Sequence, residues 1–239
     1  MNIKEEINSL KQNTDKKFNL SIIFVTLILF VYCYFGSYSF FEKTFDVKDI
    51  NYWKIIYHNM MPFLLFFVLG LIYTKFVLKS SPKDFGFKRG NWKFGLTVMG
   101  LATLIVPLLA LSTVLDKGMS TTYPLVDFKT YSAWWQIALY FLSYIMYYIG
   151  WEYLFRGIAL FGTKDKLGPL GAILLTTLIS SLIHTSIASF GKPMIETLSA
   201  IPAGLIFGYI TNKSESQFYS LYTHALVGIL TDIFIFLIV

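Results

Sequence analysis

Seven stretches of this chain are apolar for about the length a helix needs to cross a bilayer, roughly 20 residues each. They are Leu20–Phe41, Ile55–Leu78, Phe94–Leu115, Ala133–Leu160, Gly168–Ile187, Met194–Ile210 and Phe218–Val239. The series predicts an all-α fold, a polytopic transmembrane helix bundle of seven spans. An eighth short element follows if the last run breaks near Gly228. The fourth run is long for one crossing, so it either tilts or continues as helix into the next loop. The chain is 55% hydrophobic and 14% charged, with a mean hydropathy of +0.59, which excludes an ordinary soluble globular enzyme. With no repeat and no low-complexity tract, residues 1–239 read as a single integral-membrane domain. The first run is not a cleavable signal peptide, because a polar arm precedes it and no small-residue cleavage site follows. Cys33 is the single cysteine, so neither a disulfide nor a thiolate cluster can form within the chain.

The net charge of +6 does not point to nucleic acid. The cations stand at the ends of apolar runs, where they meet lipid headgroups and set orientation. With the N-terminus inside, the inner segments hold Lys4, Lys11, Lys16, Lys17, Lys79, Lys83, Lys88, Arg89, Lys93, Lys164, Lys166 and Lys213. The outer segments hold half as many: Lys43, Lys48, Lys54, Lys117, Lys129 and Lys192. The expected localisation is the cell membrane, multi-pass, with a cytoplasmic N-terminus and membrane lipids as surroundings.

Ionisable residues inside such runs are costly and mark working sites. The first three runs carry almost none. The later ones carry Glu152, Arg156, His184, Glu196, His224 and Asp232. Glu152 and Arg156 are one helical turn apart and can pair, which by itself also fits a purely structural ion pair. His184 read alone is an ordinary packing histidine, but it comes one run after Glu152, and a carboxylate with an imidazole activates water. Pro193 predicts a helix start that places Glu196 in the first turn. Ala200, Gly204 and Gly208 then form a small-residue seam for a close helix neighbour. His224 and Asp232 share the last run, about 12 Å apart along its axis. Asp232 among Ile229, Leu230, Ile233 and Phe234 must be neutral, paired or next to water. His58, at the start of the second run, reads as interfacial.

Three short patterns lie on successive runs: Trp151-Glu152-Tyr153-Leu154-Phe155-Arg156, Ser180-Ser181-Leu182-Ile183-His184 and His224-Ala225-Leu226-Val227-Gly228. In order and interval they resemble the Glu-Glu-x-x-x-Arg, Phe-x-x-x-His and His-x-x-x-Asn/Asp motifs of the CAAX-protease and bacteriocin-processing (Abi) family of glutamic intramembrane proteases. The loop from Lys83 to Trp92 resembles the segment that precedes the family's core, so the likeness covers roughly 82–239. This sequence departs from the pattern at Trp151, Ser180 and Gly228, and it adds Glu196 and Asp232.

The resemblance implies an intramembrane peptidase acting on a membrane-associated or lipidated peptide or a leader peptide. In that reading Glu152 deprotonates a water with help from His184. Arg156 orients Glu152, His224 donates to the oxyanion, Asp232 assists His224, and Glu196 is the second choice of base. Glu152→Ala should then abolish cleavage without lowering expression. The altered positions Trp151 and Gly228 favour the alternative of a catalytically silent membrane scaffold, immunity factor or regulator with a membrane-protein partner, and the buried acids Glu196 and Asp232 argue against it. A small proton-relaying transporter is a third reading, weakened by the missing inverted repeat. No cofactor is expected. Two histidines and three carboxylates can ligate zinc, but the helix-borne His-Glu-x-x-His signature is absent, so no metal site is assigned.

Overall fold

A computed structural model describes residues 15–185 and 191–239. The cationic arm with Lys4 and Lys11, the Ser186–Ile187 end of the fifth run, and Phe190 lie outside the described residues. Among the described residues the regular structure is helical, as the apolar runs require. Helix α1 spans Lys16–Phe35, α2 Tyr38–Thr44, α3 Ile50–Phe76, α4 Trp92–Thr113 and α5 Lys117–Thr122. Helix α6 spans Trp134–Glu152, α7 Leu160–Leu182, α8 Met194–Ser214 and α9 Phe218–Ile238. Asp15, Asn91 and Asp116 accept hydrogen bonds from Phe18, Phe94 and Met119 at the starts of α1, α4 and α5. Each thereby satisfies an amide that the helix leaves open.

Five helices are long and apolar enough to cross a membrane: α1, α3, α4, α8 and α9. The other two expected spans are helical but differ in kind. Helix α6 is rich in tyrosine and tryptophan and runs through a π-helical turn, Tyr153–Ala159, directly into α7. The long fourth run therefore does continue as helix. It stops at Gly168, where φ is +71°, a value glycine adopts without strain. Pro169 then starts the second arm of α7. The last run does not break at Gly228, so the eighth element is absent and α9 is continuous.

The α6–π-turn segment is the axis of the bundle. Tyr153, Leu154, Phe155, Ile158, Ala159 and Leu160 are all fully buried. Helix α4, in contrast, leaves Leu101, Leu104, Ile105 and Leu108 exposed, the surface a lipid-facing helix presents. Lipid tails are as apolar as leucine, so association here rests on close packing more than on the hydrophobic effect. Gly150 of α6 sits so close to the Pro62 carbonyl that a Cβ would collide with it. The predicted seam on α8 is present: Gly204 faces Thr177 and Gly208 faces Ile173, both on α7. Ion pairs close one end of the bundle, Lys17 to Asp165 at 3.0 Å and Lys88 to Glu215 at 3.0 Å. Lys88 holds the Glu215 carboxyl below its ordinary range.

Candidate active site

The π-helical turn after Glu152 fixes the first part of the site. Such turns are rare and tend to occur at functional positions. Glu152 is fully buried, and Arg156 nearly so. Arg156 Nε lies 3.7 Å from Glu152 Oε2, and its guanidinium sits over the Phe207 ring at 5.6 Å. The other carboxylate oxygen, Oε1, is 2.8 Å from His224 Nδ1. The Ser220 hydroxyl lies beside the same carboxylate. Glu152 thus meets His224, and what it holds in place is an imidazole. An imidazole that gives its Nδ1 proton to a carboxylate keeps Nε2 as a bare acceptor.

His184 is fixed separately, in the turn that ends α7. Its Nδ1 is 2.7 Å from the Ser180 carbonyl, and its own carbonyl accepts from the Thr197 hydroxyl at 2.9 Å. Trp151, at the position where the family pattern has its first glutamate, is buried. Its indole stacks on Tyr147 at 5.3 Å and meets the His184 ring edge-on at 5.6 Å.

Glu196 occupies the first turn of α8, as Pro193 predicted. It accepts from the Tyr123 hydroxyl at 2.7 Å and pairs with Lys192 at 3.2 Å. Lys192 also donates to the Tyr123 hydroxyl.

These pieces converge. His184, Glu196 and His224 line one small cavity together with Tyr144, Tyr148 and His58. Its volume of about 30 Å³ is enough for a water or two. Two expected site residues stand outside it. Glu152 lies behind His224 and is not among the lining residues. Asp232 does not orient His224: it accepts from the Tyr140 hydroxyl at 2.5 Å, and its second oxygen has no hydrogen-bond partner among the described residues. Two helical turns of α9 separate Asp232 from His224, which is why the pairing fails. His58, which the sequence places at the entry to the second run, faces the protein interior. It is buried two turns inside α3, with Nδ1 2.8 Å from the Gly36 carbonyl and Nε2 3.3 Å from the Tyr32 hydroxyl. Among the described residues, no three His, Cys, Asp or Glu side chains are grouped to hold a metal.

Sequence reasoning missed the tyrosines. Tyr140, Tyr144, Tyr147 and Tyr148 recur at helical spacing along α6 and continue to Trp151, a stripe visible in the sequence. Tyr148 explains Gly228. A Cβ at 228 would coincide with the Tyr148 hydroxyl and crowd that of Tyr144. The space that a side chain would need there is filled from α6 by a phenol, whose ring lies 4.6 Å from that of His224. Gly228→Asn is therefore expected to overpack the site and cost about 1–3 kcal/mol. A thermal melt in detergent reads it, and adding Tyr148→Ala should recover much of the loss.

Comparison with known proteins fits this geometry. Residues 133–230 match the family model for type II CAAX prenyl endopeptidase, Rce1-like. The match supports the family resemblance carried by the motifs, and it spans every cavity-lining histidine except His58 while excluding Asp232. An uncharacterized protein of Mycoplasma capricolum subsp. capricolum is 29% identical over 103 residues, covering 38% of this chain and 27% of that protein. The chain thus aligns with about a quarter of that relative's length. No solved structure matches the chain.

Proposed function

With residues 133–230 matching the Rce1-like endopeptidases, we propose that this chain is an intramembrane peptidase that hydrolyses a membrane-associated peptide. The observation that carries the reading is the cavity. Three imidazoles and a carboxylate from four separate helical segments face one pocket of water size, with a buried carboxylate behind the His224 imidazole.

The roles follow from access. Glu152 cannot reach a substrate, so it positions His224, much as a buried aspartate positions the histidine of a catalytic triad. His224 and Glu196 share the reacting water. His224 Nε2 takes its proton while the oxygen attacks the scissile carbonyl carbon. Charge developing on the carbonyl oxygen is met by hydroxyls of the tyrosine stripe, Tyr144 and Tyr148. The proton then passes to the amide nitrogen as the C–N bond breaks, leaving a carboxylic acid and an amine. Arg156 keeps its partner carboxylate in place and takes no part in proton transfer.

A silent, partner-binding protein is favoured by one observation: Trp151 fills the family's first glutamate position and packs against His184. Incubating purified protein with apolar peptides in detergent separates the readings. The peptidase yields cut products, and Glu196→Gln lowers kcat by about 10²-fold, the low end for loss of an acid–base group. A protein that cuts nothing, or a Glu196→Gln variant with full activity, removes this mechanism. Activity that survives chelation shows that no metal is needed.

A further inference from the structure

We infer that a second cavity, walled by α3 and the loop between α5 and α6, is the binding site for the peptide chain beside the scissile bond, and that it takes a polar segment carrying a basic side chain. The inference rests on the peptidase reading for the word scissile, whereas binding by itself does not need it. The cavity of the candidate active site holds a water or two and leaves no room for a peptide, so a chain that is to meet His224 needs an adjoining space. Asn51, Lys54 and Ile55 of α3, with residues of the 125–131 loop, enclose about 340 Å³. That is within the roughly 300–1,000 Å³ of ligand pockets.

Two observations join this cavity to the reacting site. Leu125 lines both. The α3 walls are also one face of one helix: Asn51 and Ile55 belong to the larger cavity and His58 and Asn59 to the smaller, at steps of three or four residues. Along the axis His58 is about 5 Å beyond Ile55 and about 10 Å beyond Asn51. An extended chain advances about 3.3 Å per residue, so a side chain seated beside Asn51 is about three residues from the one beside His58.

The charges in the wall select the occupant. Lys54 Nζ is held by Glu42 at 2.7 Å, and that pair cancels itself. Asp127 accepts from the Lys129 amide at 2.9 Å and the Thr130 hydroxyl at 2.6 Å, both neutral donors, and makes no ion pair among the described residues. The hydrogen bond from Thr130 holds the Asp127 carboxyl below its ordinary range. Its negative charge is therefore left for a cation that enters the cavity.

Binding and cutting are read separately, in purified protein in detergent, with apolar peptides that differ only in one lysine, glutamine or glutamate. In a Cys33→Ser background, Asn51→Cys places a single thiol in the cavity wall. The lysine peptide should slow maleimide labelling of that thiol most, and in protein with Asn51 intact it should be cut with the highest kcat/KM. Asp127→Asn should lower the preference for lysine over glutamine by about three- to fivefold, the size of a partly exposed ion pair. Leu125→Trp fills the wall between the two cavities. It should lower kcat/KM by about tenfold or more, the scale of a misplaced reactant, and leave the protection of Asn51→Cys in place. Equal protection by the lysine and glutamate peptides overturns the inference, as does a Leu125→Trp protein that cuts like its parent. Protection without cutting upholds the binding site and removes the peptidase reading. Cutting without protection upholds the peptidase and removes the binding site.

Discussion

Glu152→Ala is expected to destabilise the protein by about 3–5 kcal/mol as well as to abolish cleavage, and Glu152→Ala/Arg156→Leu is expected to restore the stability alone. Removing the carboxylate leaves the Arg156 guanidinium buried without its counter-ion, and an orphaned buried charge of this kind costs about that much. The surroundings offer little relief: Arg156 Nε and Nη1 have no hydrogen-bond partner among the described residues, and the Phe207 ring supplies only a cation–π contact. Deleting both charges substitutes apolar packing for the pair, which is often neutral or stabilising. Thermal melts in detergent and membrane yield read the first half, and peptide cleavage reads the second. A double variant that recovers both stability and activity would show that Glu152 is purely structural. The sequence leads to an expectation of lost cleavage with full expression; the burial of the Glu152–Arg156 pair adds a cost in stability to it.

That difference shows what a sequence of this kind reveals. Apolar length fixes the helices, and Pro193 fixes where α8 begins. The Gly204–Gly208 seam is legible because close helix contact leaves a spacing signature. The polar residues were identifiable as a set, since each pays a large cost for its position. Their partners were not. Whether Glu152 meets His184 or His224 depends on the rotation of α6 relative to α7 and α9. The π-helical turn, which no local pattern announces, alters that rotation at Tyr153–Ala159. A shared helix, α9, suggests His224 as the partner of Asp232, whereas the partner it meets, Tyr140, is 92 residues away. Gly228 reads as a breaker in isolation. It proves to be a vacancy that Tyr148 fills, a relation that exists only once α6 and α9 are packed.

His224→Gln should lower kcat by about 10³–10⁴-fold while leaving the fold intact, and the comparison with His184→Gln decides which imidazole carries the proton. Misplacing or losing the histidine of a buried carboxylate–imidazole pair has an effect of that size. Glutamine is near the volume of histidine, and its amide NH₂ can still donate to Glu152 Oε1, so the buried charges stay partnered and melting should move little. The same change at His184 keeps the hydrogen bond to the Ser180 carbonyl in reach and removes only an imidazole with no carboxylate behind it. Its expected loss is smaller, about 10²-fold. If His184→Gln is the more damaging of the two, proton transfer runs through the histidine beside Trp151, and the Glu152–His224 contact at 2.8 Å serves packing. If the two losses are equal and KM rises in both, the imidazoles bind the peptide together and the base is Glu196.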